Sequence, residues 1–155
     1  MQSPSDHPDV FARPPLVYLG AIAAVFVLRH FLPLPLIAAA GILWPFAALA
    51  VLGVLILFWG RNAMRKANTN IDPMLPTLAI VTGGPYRFSR NPLYIALTLI
   101  YFGVTLAGNT WWSVLVFVPL ICALHFGVVL REERYLQEKF GEQYLSYRRK
   151  VRRYL

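Results

Sequence analysis

The chain has 155 residues, 57% of them apolar or aromatic and only 14% charged, with a mean hydropathy of +0.53. Soluble domains carry about 25% charged residues, so this balance excludes a disordered tail, an acidic solvating protein and an ordinary soluble enzyme. Fifteen basic against seven acidic residues give a net charge of +8, as in nucleic-acid binders. The placement of those charges argues against nucleic acid as a partner.

No charged residue lies between Arg13 and Arg29, between Arg29 and Arg61, or between Arg90 and Arg131. A helix needs about 20 apolar residues to cross the hydrocarbon core. The first half therefore predicts two spans, at about 15–32 and 36–59, divided by Arg29-His30 and the Pro33/Pro35 pair. The leader of the first mixes Asp6 and Asp9 with Arg13 and lacks the basic n-region of a signal peptide, which makes it an uncleaved span. A loop at 61–90 follows. The uncharged stretch 91–130 predicts two further spans, at about 92–108 and 111–130, with Ala107-Gly108-Asn109-Thr110 as their turn. Beyond it Leu136, Phe140, Tyr144, Tyr147 and Val151 recur at helical spacing, the stripe of an amphipathic helix over about 132–153. The expected fold is an all-α integral membrane protein: four transmembrane helices plus a C-terminal amphipathic cytoplasmic helix, in a single domain over 1–155.

With four spans, one basic residue of the N-terminus, five of the loop and eight of the tail share one side, and Arg29 alone faces the other. The positive-inside rule makes the rich side cytoplasmic and puts Trp111-Trp112 at the far interface. The lone Cys122 offers neither a disulfide nor a Cys-x-x-Cys site, and no His/Asp/Glu cluster at ligand spacing suggests a metal.

The chemistry collects on the basic side. The 61–90 loop carries Ile71, Met74, Leu75, Leu78, Ile80 and Val81 among its turn residues, so it is expected to fold over a pocket at the membrane face. It ends in Gly83-Gly84-Pro85-Tyr86-Arg87-Phe88-Ser89-Arg90-Asn91-Pro92-Leu93-Tyr94. Gly-Gly-Pro predicts a tight turn, and Asn91-Pro92 a helix start with asparagine as its cap. The crowded arginines and tyrosines read either as headgroup contacts or as an anion site at a helix N-terminus. Glu132-Glu133 follow the last span between Arg131 and Arg134, which are able to neutralise them. Neighbours on a helix point in different directions, so at most one glutamate is expected to face the bundle. His125, seven residues before Glu132, lies near its face. The aromatic face of the tail helix either closes the cytoplasmic mouth or, with the cluster at 148–153, lies on anionic lipid.

Gly84-Pro85-Tyr86-Arg87-x-x-Arg90-Asn91-Pro92-x-Tyr94, then two hydrophobic spans, then Glu132-Glu133-x-x-Leu136-x-x-x-Phe140-Gly141-x-x-Tyr144-x-x-Tyr147, resembles the isoprenylcysteine carboxyl methyltransferase family. Its superfamily includes the integral-membrane phospholipid methyltransferases. The resemblance covers about 61–155, including Asn68-Thr69-Asn70 and Pro73-x-x-Pro76-Thr77. It implies S-adenosylmethionine as methyl donor and a lipid or lipophilic acceptor, such as a prenylcysteine-like carboxylate or a phospholipid amine. By position, Arg87, Arg90, Glu132 and Glu133 become the catalytic candidates. Tyr86, Arg90, Asn91, Pro92, Tyr94, His125, Glu132, Glu133, Tyr144 and Tyr147 become the cofactor-binding candidates. Either Arg87 or Arg90 would meet a carboxylate, and a glutamate the donor's ammonium. Asn91 stands where the best-known members have histidine; asparagine hydrogen-bonds but cannot titrate. That points toward the broad bacterial members. A small membrane transporter, a catalytically silent accessory protein and an NADPH-dependent membrane reductase of related fold are the competing readings.

Overall fold

The computed structural model describes residues 8, 10, 12–37 and 44–154, and every described element is helical. Helix α1 (Pro14–Phe31) opens on two prolines in its first turn, where a missing N–H costs nothing. It ends just before Pro33, as a following proline dictates. Helix α2 (Trp44–Lys66) sits further along the chain than the span expected at 36–59, of which 38–43 lie outside the described residues. It runs through Arg61 because 61–66 contain no glycine or proline to stop it. Asn68, at φ 51°, then terminates it, with the Thr69 N–H closing back on the Met64 carbonyl at 3.2 Å.

Helix α3 (Pro92–Ala107) is apolar, but its 16 residues give about 24 Å of rise, short of the hydrocarbon core's ~30 Å. Helix α4 (Trp112–Phe140) runs for 29 residues. It is interrupted at Val116, where Pro119 cannot donate to the Leu115 carbonyl, and widens into a π-helical turn at His125–Val129. Three helices, α1, α2 and α4, are thus long and apolar enough to cross a membrane. The tail departs from the single helix expected at 132–153. Its first half is the end of α4. Gly141, at φ 52° and ψ −125°, then breaks the chain in a conformation closed to other residues before α5 (Glu142–Lys150). The apolar stripe continues through this break, which is why the pattern alone reads as one helix.

Helix α3 is the axis of the bundle. On one side it meets α2 at close range: a Cβ placed on Gly103 would lie 2.7 Å from the Ala50 Cβ, and one on Gly53 2.6 Å from the Ala96 carbonyl. On the other side Tyr101 packs into a core of Tyr18 and Val25 from α1 and Leu120, Leu124 and Val128 from α4. Two hydroxyls here are paired, as a hydrocarbon environment favours: that of Tyr101 donates to the Ser113 carbonyl at 2.9 Å, and that of Tyr18 shares a 2.7 Å bond with Thr98, whereas the buried Ser113 hydroxyl has no partner among the described residues. Large apolar side chains turn outward instead, among them Phe31 (74% exposed), Phe58 (61%) and Phe126 (65%). Such a surface belongs in lipid. Helices α1 and α2 both pack on α3 and, among the described residues, barely touch one another.

Candidate active site

A cavity of about 630 Å³ occupies the end of the bundle where the N-terminal segment, the 67–91 connection and the tail meet. The connection does fold over it: Ile71, Asp72, Thr77, Ile80 and Val81 are among its walls. Asp72 also pairs with Arg13 at 2.9 Å, tying this cover to the start of α1.

The short 3₁₀ turn Gly84–Arg87 delivers Tyr86 into the wall, buried, with its carbonyl accepting a 2.6 Å bond from the Tyr147 hydroxyl. Arg87 is carried the other way: it is exposed, with its guanidinium 4.6 Å from the centre of the Phe88 ring, and does not line the cavity. Arg90, Asn91, Pro92 and Tyr94 all line it. Pro92 holds the first position of α3, but Asn91 does not cap the helix with its side chain. Its amide donates to the Arg153 carbonyl at 3.1 Å, and its N–H goes to the Ser89 hydroxyl at 3.1 Å. The tail competes successfully for the group that local rules assign to the cap.

Both glutamates line the cavity, against the expectation that only one faces inward. The cavity wraps around the start of α3 and the tail, so two directions about 100° apart on α4 both reach it. Glu133 is buried between two cations: Arg90 at 3.0 Å from one oxygen, and Arg153 gripping both oxygens at 2.9 and 2.8 Å. Arg90 is equally enclosed, with 8% of its side chain exposed, and also donates to the Tyr144 hydroxyl at 3.0 Å. Arg131 and Arg134 are not the groups that neutralise this carboxylate. Burying charge is tolerable only with such close pairing.

Glu132 is placed differently. It is half-buried, accepts a 2.8 Å bond from the Tyr94 hydroxyl, and among the described residues forms no ion pair. Arg61, also in the lining, is exposed and likewise has no ion-pair partner among the described residues. Tyr86, Tyr144 and Tyr147 complete the polar wall. Burial pushes their phenols above the ordinary value, with the charge of Glu132 adding at Tyr86 and that of Glu133 at Tyr144, so all three remain neutral donors at neutral pH. His125 lies outside the cavity, its Nδ1 2.9 Å from the Tyr154 hydroxyl. Ser89 and Arg153 belong to the network although sequence reasoning did not single them out. Arg153 is hidden in a basic cluster whose composition suits a membrane surface equally well.

Among the described residues the arrangement thus offers a buried ion cluster in which Arg90 Nε lacks a hydrogen-bond partner, a carboxylate and a cation without ion-pair partners, and an apolar flank of Leu16, Leu57, Leu93 and Leu97. Such a cavity suits an amphiphilic ligand pair. The phospholipid methyltransferase family matches residues 43–143, which spans α2, α3, α4 and the polar wall as far as both glutamates. An uncharacterized protein of Haemophilus influenzae is 41% identical over 66 residues, which make up 41% of this chain and 100% of that protein. No solved structure matches the chain. The family match covers well over half of the chain and both charged strings that build the cavity, and the chain belongs to the phospholipid methyltransferase family of membrane enzymes.

Proposed function

We propose that this chain is an integral-membrane methyltransferase that moves a methyl group from S-adenosylmethionine to a lipid or lipophilic acceptor. In this reading residues 1–155 form one domain with four spans, α3 being a short crossing sheltered by its neighbours. The cavity and both termini face the cytoplasm, as the distribution of basic residues favours.

The observation that carries the reading is Glu132, a carboxylate with no ion-pair partner among the described residues, at the wall of a cavity where Glu133 and Arg90 are already ion-paired. A lone carboxylate beside hydrocarbon calls for a cation, and the donor bears both an α-ammonium and a sulfonium. Glu132, oriented by Tyr94, would hold the ammonium, and Arg61 is free to meet a carboxylate or phosphate. The tyrosines at 86, 144 and 147 supply neutral donors and aromatic faces. Arg90 and Glu133, ion-paired with each other, with Glu133 also held by Arg153, set the shape of this wall, and the buried Arg90 Nε has no hydrogen-bond partner among the described residues. When bound, the donor supplies an electrophilic methyl group. The chain's part is to align it with the acceptor and keep water away. Leu16 of α1 and Leu57 of α2 both line the cavity, an apolar flank along which a lipid tail would lie while its polar end enters the cavity.

Membranes containing the protein, incubated with methyl-labelled S-adenosylmethionine, should transfer label into organic-extractable material, and Glu132→Gln should abolish most of it. NADPH oxidation without label transfer would instead mark a reductase and overturn the reading. For topology, in a Cys122→Ser background, impermeant maleimide applied to intact cells should modify Trp111→Cys and spare Arg149→Cys; the reverse pattern would invert the proposed orientation.

A further inference from the structure

Beyond α5 the backbone turns extended, with Val151 at φ −124° and ψ 131°, and residues 151–154 run along the cavity end as a strap. The Arg152 carbonyl accepts the Arg90 N–H at 2.9 Å. The Arg153 carbonyl accepts both the Ser89 hydroxyl and the Asn91 amide, each at 3.1 Å. The Arg153 guanidinium holds both oxygens of Glu133, and Tyr154 reaches His125. Arg90 closes a ring: its backbone is bound to the strap, its side chain to Glu133, and Glu133 to Arg153. The two charged strings of the site, 89–91 just before α3 and Glu133 on α4, are therefore joined through two residues of the strap.

We infer that Arg153 is a positioning residue of the methyl-transfer site, fixing the Glu133 carboxylate and, through it and the strap backbone, the orientation of Arg90 and the 89–91 turn. Without Arg153, one Glu133 oxygen keeps Arg90, but the other loses the only hydrogen-bond donor it has among the described residues, in a buried setting. The carboxylate is then free to turn about its broad terminal torsion, and Arg90 turns with it. Asn91 serves the same purpose from the backbone side. An asparagine side chain in this place suits a carbonyl acceptor, which explains its use here independently of any proton transfer. The inference rests on the donor-binding reading above.

Its test uses the full chain purified in detergent, with calorimetry of S-adenosylmethionine, thermal melting, and amide hydrogen exchange of the ligand-free peptide carrying 89–91. The variants are Arg153→Ala, Arg153→Lys, Glu133→Gln and the Glu133→Gln/Arg153→Ala pair. Arg153→Ala should weaken binding about tenfold and speed exchange at 89–91, while Arg153→Lys recovers part of both. If Arg153 acts through Glu133, the double variant binds no more weakly than Glu133→Gln alone. Should Arg153→Ala fail to fold, Arg153→Gln takes its place. A lowered melting temperature with affinity within twofold of the parent would overturn the inference, as would losses that multiply in the double variant. If the parent chain binds no S-adenosylmethionine, the donor assignment fails, and exchange decides alone: unchanged rates at 89–91 overturn the positioning role, and faster rates uphold it.

Discussion

At the end of the bundle away from the cavity, the turns at 32–37 and 108–111 are joined without a single charge. The Asn109 side chain accepts from Leu36 and Ile37 and donates to the Ile37 carbonyl at 2.8 Å, while the Trp112 indole donates to the Leu32 carbonyl at 2.8 Å. Asn109 tolerates the φ of 49° that this clasp needs. At the cavity end the same task of tying helix ends together falls to Arg13, Asp72, Arg90, Glu133 and Arg153. The first end is held by neutral hydrogen bonds alone. At the second, Glu132 and Arg61 have no ion-pair partner among the described residues. A clasp that only holds helices together needs no surplus charge, and the proposed donor site is built on that surplus.

Breaking each end should therefore give different losses. The largest is expected for Arg90→Ala, which leaves Glu133 half-compensated in a buried site. Disrupting such a pair costs about 3–5 kcal/mol, visible as a collapse in thermal melting together with lost donor binding. Next is Glu132→Gln. Donor binding should weaken by about 1.5–3 kcal/mol, the scale of a charge-assisted hydrogen bond, with little change in melting because no ion pair is broken. Asn109→Ala should do the opposite, lowering stability by about 2 kcal/mol through lost backbone partners while the folded protein binds the donor normally. Arg87→Ala should matter least. It removes only an exposed contact with Phe88, worth about 0.5–1 kcal/mol, and binding and melting assays should place it nearest the parent.

Much of this contrast is legible in the sequence. Prolines mark the starts of α1 and α3, and Gly108-Asn109 marks the turn after α3, because these residues restrict the backbone locally. The end of α2 is not legible from hydropathy, since polar residues continue a helix as readily as apolar ones. Nor is the kink at Gly141, where the apolar stripe survives a change of axis. In the candidate site, the strings around Arg90 and Glu132 both line the cavity. They do not reveal that Asn91 would abandon the helix amides for the Arg153 carbonyl, or that His125 would hold Tyr154. Those choices depend on where the strap lies in space, and no spacing encodes that. The pairing of both glutamates with the cavity likewise depends on its width and not on helical periodicity.

The most direct test of the central claim is calorimetric titration of S-adenosylmethionine into the purified parent chain, Glu132→Gln and Asn109→Ala, side by side. The account predicts saturable binding by the parent and Asn109→Ala, and affinity about 10- to 100-fold weaker for Glu132→Gln. Equal affinity of the parent and Glu132→Gln would contradict it, because the unpaired carboxylate would then have no part in holding the donor.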